Sequence, residues 1–112
     1  METIKKNYEF RYILQKGKYY SGDKIEIFIT KNNKNINYIG IAIGVKIAKA
    51  VKRNHIKRLI RENYRLIEDK LDKGYNMIFL WKKKNPVSEA NFYNIQKDMI
   101  SIFNKAGILK ND

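Results

Sequence analysis

Residues 46–65 have the sequence KIAKAVKRNHIKRLIRENYR and lie within the longest helical pattern of the chain, which runs from about Ala50 to Leu71. At 100° per residue this segment divides into an apolar side and a cationic side. The apolar side is predicted to contain Ile56, Leu59, Ile60, Leu66 and Ile67. Gly74 follows as a natural helix stop. The pattern predicts an amphipathic helix that packs one face on a sheet.

The other face of this helix carries an unusual density of charge. Eight basic residues and one acidic residue, Glu62, lie between positions 46 and 65, a local charge of +7; the basic ones are Lys46, Lys49, Lys52, Arg53, Lys57, Arg58, Arg61 and Arg65. Asn54 shares the face. A solvated surface is the ordinary interpretation of a charge run. However, four of the five arginines of the chain lie here, and arginine suits bidentate phosphate contact, which favours nucleic-acid binding.

Composition sets the wider bounds. The chain has 112 residues with 24 Lys and Arg against 11 Asp and Glu, a formal charge of +13 that favours polyanionic partners. No apolar run is long enough to span a membrane, and the N-terminus has no signal-peptide pattern, so a cytoplasmic location is expected. With no Cys and with His55 as the single histidine, we expect no disulfide and no metal site in the protein.

The remaining elements are shorter. Residues 7–16 predict a helix that ends before Gly17, and residues 24–30 alternate as a half-buried strand. The turn-rich run KNNKNIN predicts a hairpin to a second strand over residues 38–45. Residues 75–81, apolar on both faces, predict a strand flanked by others. A last helix is expected from a Ser88 cap to about Ala106.

Together these elements predict an α+β fold. Their order is α-β-β-(β)-α-β-α, where the bracketed strand allows for a break in the first one, and the architecture is a two-layer α/β sandwich. The length suits one core, so residues 1–112 are expected to form a single nucleic-acid-binding domain.

Residues 46–65 also resemble the signature of the bacterial ribonuclease P protein component. That pattern is close to Gly-x-Ala-Val-x-Arg-Asn-x-x-Lys-Arg-x-x-Arg-Glu. The matching positions run without a gap: Ala50, Val51, Arg53, Asn54, Lys57, Arg58, Arg61 and Glu62. Ala48 departs from the pattern, because the family usually has glycine there. The similarity extends to the layout of nearly the whole chain.

The resemblance implies a fold, partners and a reaction. It implies a left-handed βαβ crossover, an exception to the right-handed rule. It implies two RNA partners, the catalytic RNA of ribonuclease P and precursor tRNA, with the basic helix residues and Asn54 facing the catalytic RNA. The protein would assist endonucleolytic removal of the tRNA 5′ leader by an RNA that holds Mg²⁺. No catalytic residue, organic cofactor or obligate protein partner is expected in this chain.

A second surface follows from the strand pattern. Phe28 lies on the polar face of its strand, and Gly40, Ala42 and Gly44 leave one face of the next strand nearly bare, which suggests a groove where single-stranded RNA could stack. By resemblance, the leader-binding cleft maps onto Phe10, Phe28 and Leu14, the last replacing an aromatic common in relatives. Core packing is the alternative for Phe10.

Two aromatic residues are left open by the sequence. Tyr12 projects away from Phe10 around the first helix and is either a surface residue or part of the groove rim. Trp81 either closes the core or stacks on a base, and the core is favoured.

Three other function classes compete with a ribonuclease P subunit. A general RNA- or ribosome-binding module would use the same basic helix. A protein nuclease would need clustered carboxylates for metal, whereas the acidic residues here are scattered. A DNA-reading helix would be expected within a helix-turn-helix pair, which the pattern lacks.

Overall fold

The centre of the molecule is a five-stranded sheet. The structure, a computed structural model, describes residues 1–110. In chain order the elements are β1 (Glu2–Thr3), α1 (Asn7–Lys16), β2 (Lys18–Ser21), β3 (Ile25–Lys31), β4 (Tyr38–Ala42), α2 (Ala50–Ile67), β5 (Tyr75–Trp81) and α3 (Phe92–Ala106), with short 3₁₀ turns at Glu68–Lys70 and Val87–Glu89. The α+β class is confirmed. The first predicted strand is not broken, since β3 is continuous, and β1 and β2 are additions.

The strand order corrects one prediction. The sheet runs β1-β4-β5-β3-β2, so β3 and β4 are not neighbours and the predicted hairpin between them is wrong. Strand β5 lies between them, antiparallel to β3 and parallel to β4. The physical reason is that β5 is apolar on both faces, and a central position buries Met77, Ile78 and Phe79 completely. The hairpin that does form joins β2 to β3.

One face of the sheet, here called the closed face, is covered by α2 and α3. It carries Ile25, Ile27 and Ile29 from β3, which pack with the apolar side chains of both helices. Phe79 lies at its centre, in edge contact with Tyr64 of α2 and Phe103 of α3. This face therefore holds the main core.

The buried side of α2 differs from the predicted one at three positions. Leu66 was expected in the core but is 66% exposed, whereas Asn63 and Tyr64 are buried. Asn63 fits there because its side-chain amide donates to the carbonyls of Leu59 (3.0 Å) and Phe92 (3.2 Å), which ties α2 to α3. A prediction from hydrophobicity alone expects Leu66 to be buried before an asparagine, because it does not take hydrogen bonds into account.

The opposite face of the sheet, here called the open face, is only partly covered, by α1. Phe10 lies directly over Gly40, where any Cβ would overlap the aromatic ring. Ile13 is buried against this face. The register places Phe28, Ile78 and Gly40 in one row and Glu26, Leu80 and Ala42 in the next. Helix α1 therefore covers the first row and leaves the second row open.

Element ends shift by a few residues from the predictions. The helix predicted to reach Leu71 ends at Ile67 and continues as a 3₁₀ turn, and β4 ends at Ala42 instead of Val45. The cap of α3 is Asn91, whose side chain accepts from the Asn94 amide (2.9 Å), and not Ser88.

The connection between β4 and β5 is a βαβ unit. The two strands are parallel neighbours, and α2 links them. Its left-handedness remains a prediction from the resemblance. Within residues 1–110, no helix is long and apolar enough to cross a membrane.

Candidate nucleic-acid interface

The cationic side of α2 points to solvent. Asn54, Arg58, Arg61 and Arg65 are exposed along the helix, and Lys46, Lys49 and Lys52 are exposed around its start. The salt bridges found in the described residues, Met1–Glu68 and Lys24–Glu89, use none of these basic side chains. The charges are therefore available to a polyanion, which would be bound through its phosphates.

Arg53 and Lys57 differ from the other basic residues because both are half-buried. The Arg53 guanidinium donates to the Ala48 carbonyl (2.6 Å) and so holds the turn that leads into α2. The family departure at Ala48 fits this turn, because Asn33 is the one non-glycine residue with positive φ among residues 1–110. Alanine therefore adopts the backbone conformation without strain.

An open cleft of about 660 Å³ lies at one end of the open face. Its apolar floor includes Ala42, Leu80 and Gly44. Four lysines line it, and these are Lys57, Lys82, Lys83 and Lys84. Since Lys57 belongs to α2, the cleft and the cationic side of the helix meet at this residue. Single-stranded RNA is bound where aromatic side chains for the bases lie beside cationic groups for the backbone.

Tyr19 is a cleft residue that the sequence analysis missed. Its ring lies against Phe28, with centroids 5.1 Å apart and planes tilted by 53°. Its hydroxyl donates to the Glu26 carboxylate, and this hydrogen bond raises the pKa of Tyr19. The adjacent aromatic residues of KYYS, followed by the turn-forming SGDK, were the available signal for this strand.

The four predicted leader-binding residues are not all in one place. Phe28 is half-buried and contacts Tyr19 at the cleft. Phe10 is half-buried over Gly40, which lies in the same row of the open face as Phe28. Leu14 is 37% exposed, and Tyr12 is 59% exposed on the other side of α1. The structure therefore brings Phe10 and Phe28 to one face and leaves Tyr12 apart from them.

Trp81 and His55 differ in their exposure to solvent. Trp81 is 2% exposed and its indole N–H donates to the Asn85 carbonyl (3.0 Å), which confirms the packing interpretation. His55 is exposed on α2. Over residues 1–110, no three His, Cys, Asp or Glu side chains are grouped so that they could hold a metal ion.

Comparison with known proteins gives concordant results. Residues 1–107 match the family model described as Ribonuclease P. The chain is 39% identical over 106 residues to a ribonuclease P protein component of Clostridium botulinum strain Langeland, covering 94% of both chains.

Solved structures agree in fold. The RNase P protein of Staphylococcus aureus superposes with a TM-score of 0.84 at 25% identity, covering 98% of this chain and 99% of the other. The RNase P protein of Thermotoga maritima superposes with a TM-score of 0.83 at 22% identity, covering 94% and 97%. The second likeness concerns the fold alone.

Proposed function

The chain belongs to the ribonuclease P protein family, and on this premise we propose that it binds the catalytic RNA of ribonuclease P and the 5′ leader of precursor tRNA at two adjoining surfaces. The observation that carries the proposal is the position of Lys57, which lies on the cationic side of α2 and also lines the cleft. The catalytic RNA on α2 and the single-stranded leader in the cleft would thus be bound side by side.

The catalytic RNA is assigned to the basic residues of α2 and its leading turn. Their side chains are mostly exposed, and none takes part in the salt bridges of residues 1–110. Arginine forks bind phosphate with two parallel hydrogen bonds, and Asn54 adds a neutral donor and acceptor between them. Arg53 would contribute fewer hydrogen bonds to phosphate than the other arginines, because part of its guanidinium already donates to the Ala48 carbonyl.

The leader is assigned to the cleft and to the neighbouring row of the open face. Phe28 and Tyr19 offer aromatic surface for a base, and Lys82 to Lys84 offer cations for the backbone. Mature tRNA lacks the leader, so contacts made here would favour precursor over mature tRNA. Phe10 would support this surface through its packing on Gly40.

The protein has no chemical step in this proposal. The reaction of the complex would use Mg²⁺ held by the RNA, and the described residues do not fit a Mg²⁺ site, because their carboxylates are not clustered. The protein would supply binding and positioning within a cytoplasmic ribonucleoprotein that matures tRNA 5′ ends. Residues 1–112 would serve as one RNA-binding domain.

The test is cleavage of 5′-labelled precursor tRNA by the ribonuclease P RNA of the same organism, at low Mg²⁺ and moderate salt, with and without this protein. We expect cleavage at the mature 5′ end only when both are present. Absence of stimulation by folded protein that still binds RNA would overturn the proposal and favour a general RNA-binding module.

A further inference from the structure

One side chain in the cleft has the wrong charge for a site that binds only phosphate. Among the described residues that line the cleft, Glu26 is acidic and four are lysines. The salt bridges of residues 1–110 do not include Glu26, although lysines border the same cleft. A carboxylate here repels the RNA backbone, so a role in binding RNA requires that it contact a group other than phosphate.

The Glu26 carboxylate is held in place. Tyr19 donates its hydroxyl to Oε2, and the Tyr19 ring rests on Phe28. This uses one lone pair of Oε2 and leaves Oε1 and the remaining site on Oε2 open to further donors, since a carboxylate accepts at about four lone-pair sites. The raised pKa of Tyr19 has this hydrogen bond as its main cause, as expected when the acceptor is a carboxylate.

The position of Glu26 suits a base stacked on the aromatic pair. Glu26 and Phe28 are two residues apart on β3 and share the open face. Same-face neighbours on a strand are separated by about 7 Å. A base that stacks on Phe28 or Tyr19 therefore brings one of its edges to the carboxylate, while its phosphate can reach the lysines.

We propose that Glu26, oriented by Tyr19, is a specificity-determining residue that selects guanine in the leader. The Watson–Crick edge of guanine presents N1–H and the N2 amino group side by side, which matches the two oxygens of a carboxylate. Uracil presents one N–H between two carbonyl oxygens, which the carboxylate repels. This inference rests on the proposed function, because it places the leader in the cleft.

The experiment measures affinities of precursor tRNAs for the complete complex of this protein with its RNA. The leaders are unstructured and guanine-free, and a single guanine or a single uracil is moved through them one position at a time. We expect one position at which guanine binds roughly tenfold more tightly than uracil, within the range measured for good bidentate base contacts.

Three variants test the assignment. Glu26→Gln should bind guanine-free leaders at least as tightly, because a negative charge is lost, and should reduce the guanine preference to less than about twofold. Tyr19→Phe keeps the ring but frees the carboxylate, and should weaken the preference in part. Glu2→Gln removes the same charge from an exposed residue outside the cleft and should leave the preference unchanged.

The outcomes separate this inference from the function on which it rests. A wild-type complex that binds precursor over mature tRNA but shows the same base preference as Glu26→Gln would overturn the role of Glu26 alone. A wild-type complex that does not distinguish precursor from mature tRNA would overturn the leader site and this inference together. Unchanged affinity of the variants for the ribonuclease P RNA verifies that they are folded.

Discussion

The closed and open faces of the sheet are built from the same strands but differ in how far their side chains are buried. On β3, Ile25, Ile27 and Ile29 face the closed side and are buried, whereas Glu26 and Phe28 alternate with them and are half-buried on the open side. The closed face is packed by two helices, and the open face by one. Residues on the closed face should therefore govern stability, and residues on the open face should govern binding.

The contrast between the two faces would be contradicted if truncation of Phe79 changed the free energy of unfolding only slightly. Phe79 is fully buried between Tyr64 and Phe103, so Phe79→Ala should lower the free energy of unfolding by about 3 to 5 kcal/mol. Phe28→Ala removes the same side chain from the open face and should cost clearly less. Urea denaturation of both variants measures the contrast, and equal losses would contradict it.

Asp98 on α3 links the helices of the closed face to the turn between β2 and β3. Its carboxylate, 4% exposed on α3, accepts from the backbone amides of Asp23 (3.1 Å), Lys24 (2.6 Å) and Ile25 (3.0 Å), and so holds the β2–β3 turn. Asp98→Ala leaves these donors unpaired and should lower the free energy of unfolding by about 3 kcal/mol. Asp69→Ala, at an exposed position, is the matched control and should change unfolding little.

Phe28 sharpens the comparison from the binding side. Phe28→Ala should weaken binding of precursor tRNA to the complex by about 1 to 3 kcal/mol, because one stacking contact is lost. Affinity for mature tRNA should stay the same. Equal losses for both tRNAs would show that Phe28 does not contact the leader.

Tyr64 offers a pH test of the closed face. Burial, with a smaller contribution from Glu68, raises its pKa to about 12 from an ordinary value of 10.0. The neutral phenol is thus favoured in the folded state, and its contribution to stability is complete below pH 10 and decreases as the pH rises towards 12. Relative to Tyr64→Phe, the wild type should lose about 1 kcal/mol between pH 9 and pH 11. Urea denaturation at both pH values measures it, and a constant difference would contradict it.

The smallest expected effect concerns the exposed side of α2. Arg58→Ala should leave stability unchanged and weaken binding to the ribonuclease P RNA, with the salt dependence of log K reduced by about 0.7 to 0.9 per lost phosphate contact. Arg53→Ala should also weaken this binding but should destabilise the turn at Ala48 as well. Titration at several salt concentrations, beside urea denaturation, separates the two residues.

Local periodicity predicted the elements whose pattern is strong. Strand β5 was predicted with its observed bounds, Tyr75–Trp81, and α1 with its observed bounds, Asn7–Lys16. The pairing of strands was not predicted correctly, because alternation identifies the faces of a strand and not its neighbours. The predicted hairpin failed for this reason: insertion of β5 between β3 and β4 is a contact between distant parts of the chain.

The candidate site was predicted in part for a similar reason. The basic residues of α2 are adjacent in sequence at helical spacing, so their common face could be inferred. The cleft joins Tyr19, Glu26 and Lys57 from three elements, and no local pattern links them. Asn63 and Asp98 were missed because their burial depends on hydrogen bonds to distant backbone groups.

The contact of Phe10 with Gly40 has a consequence for how the sequence can vary. Because the ring fills the space of a missing Cβ, a larger residue at position 40 requires a smaller one at position 10 or displacement of α1. Substitutions at positions 10 and 40 should therefore be accepted in compensating pairs and not singly. A library that randomises both should yield folded variants as compensated pairs, and related chains should change at the two positions together.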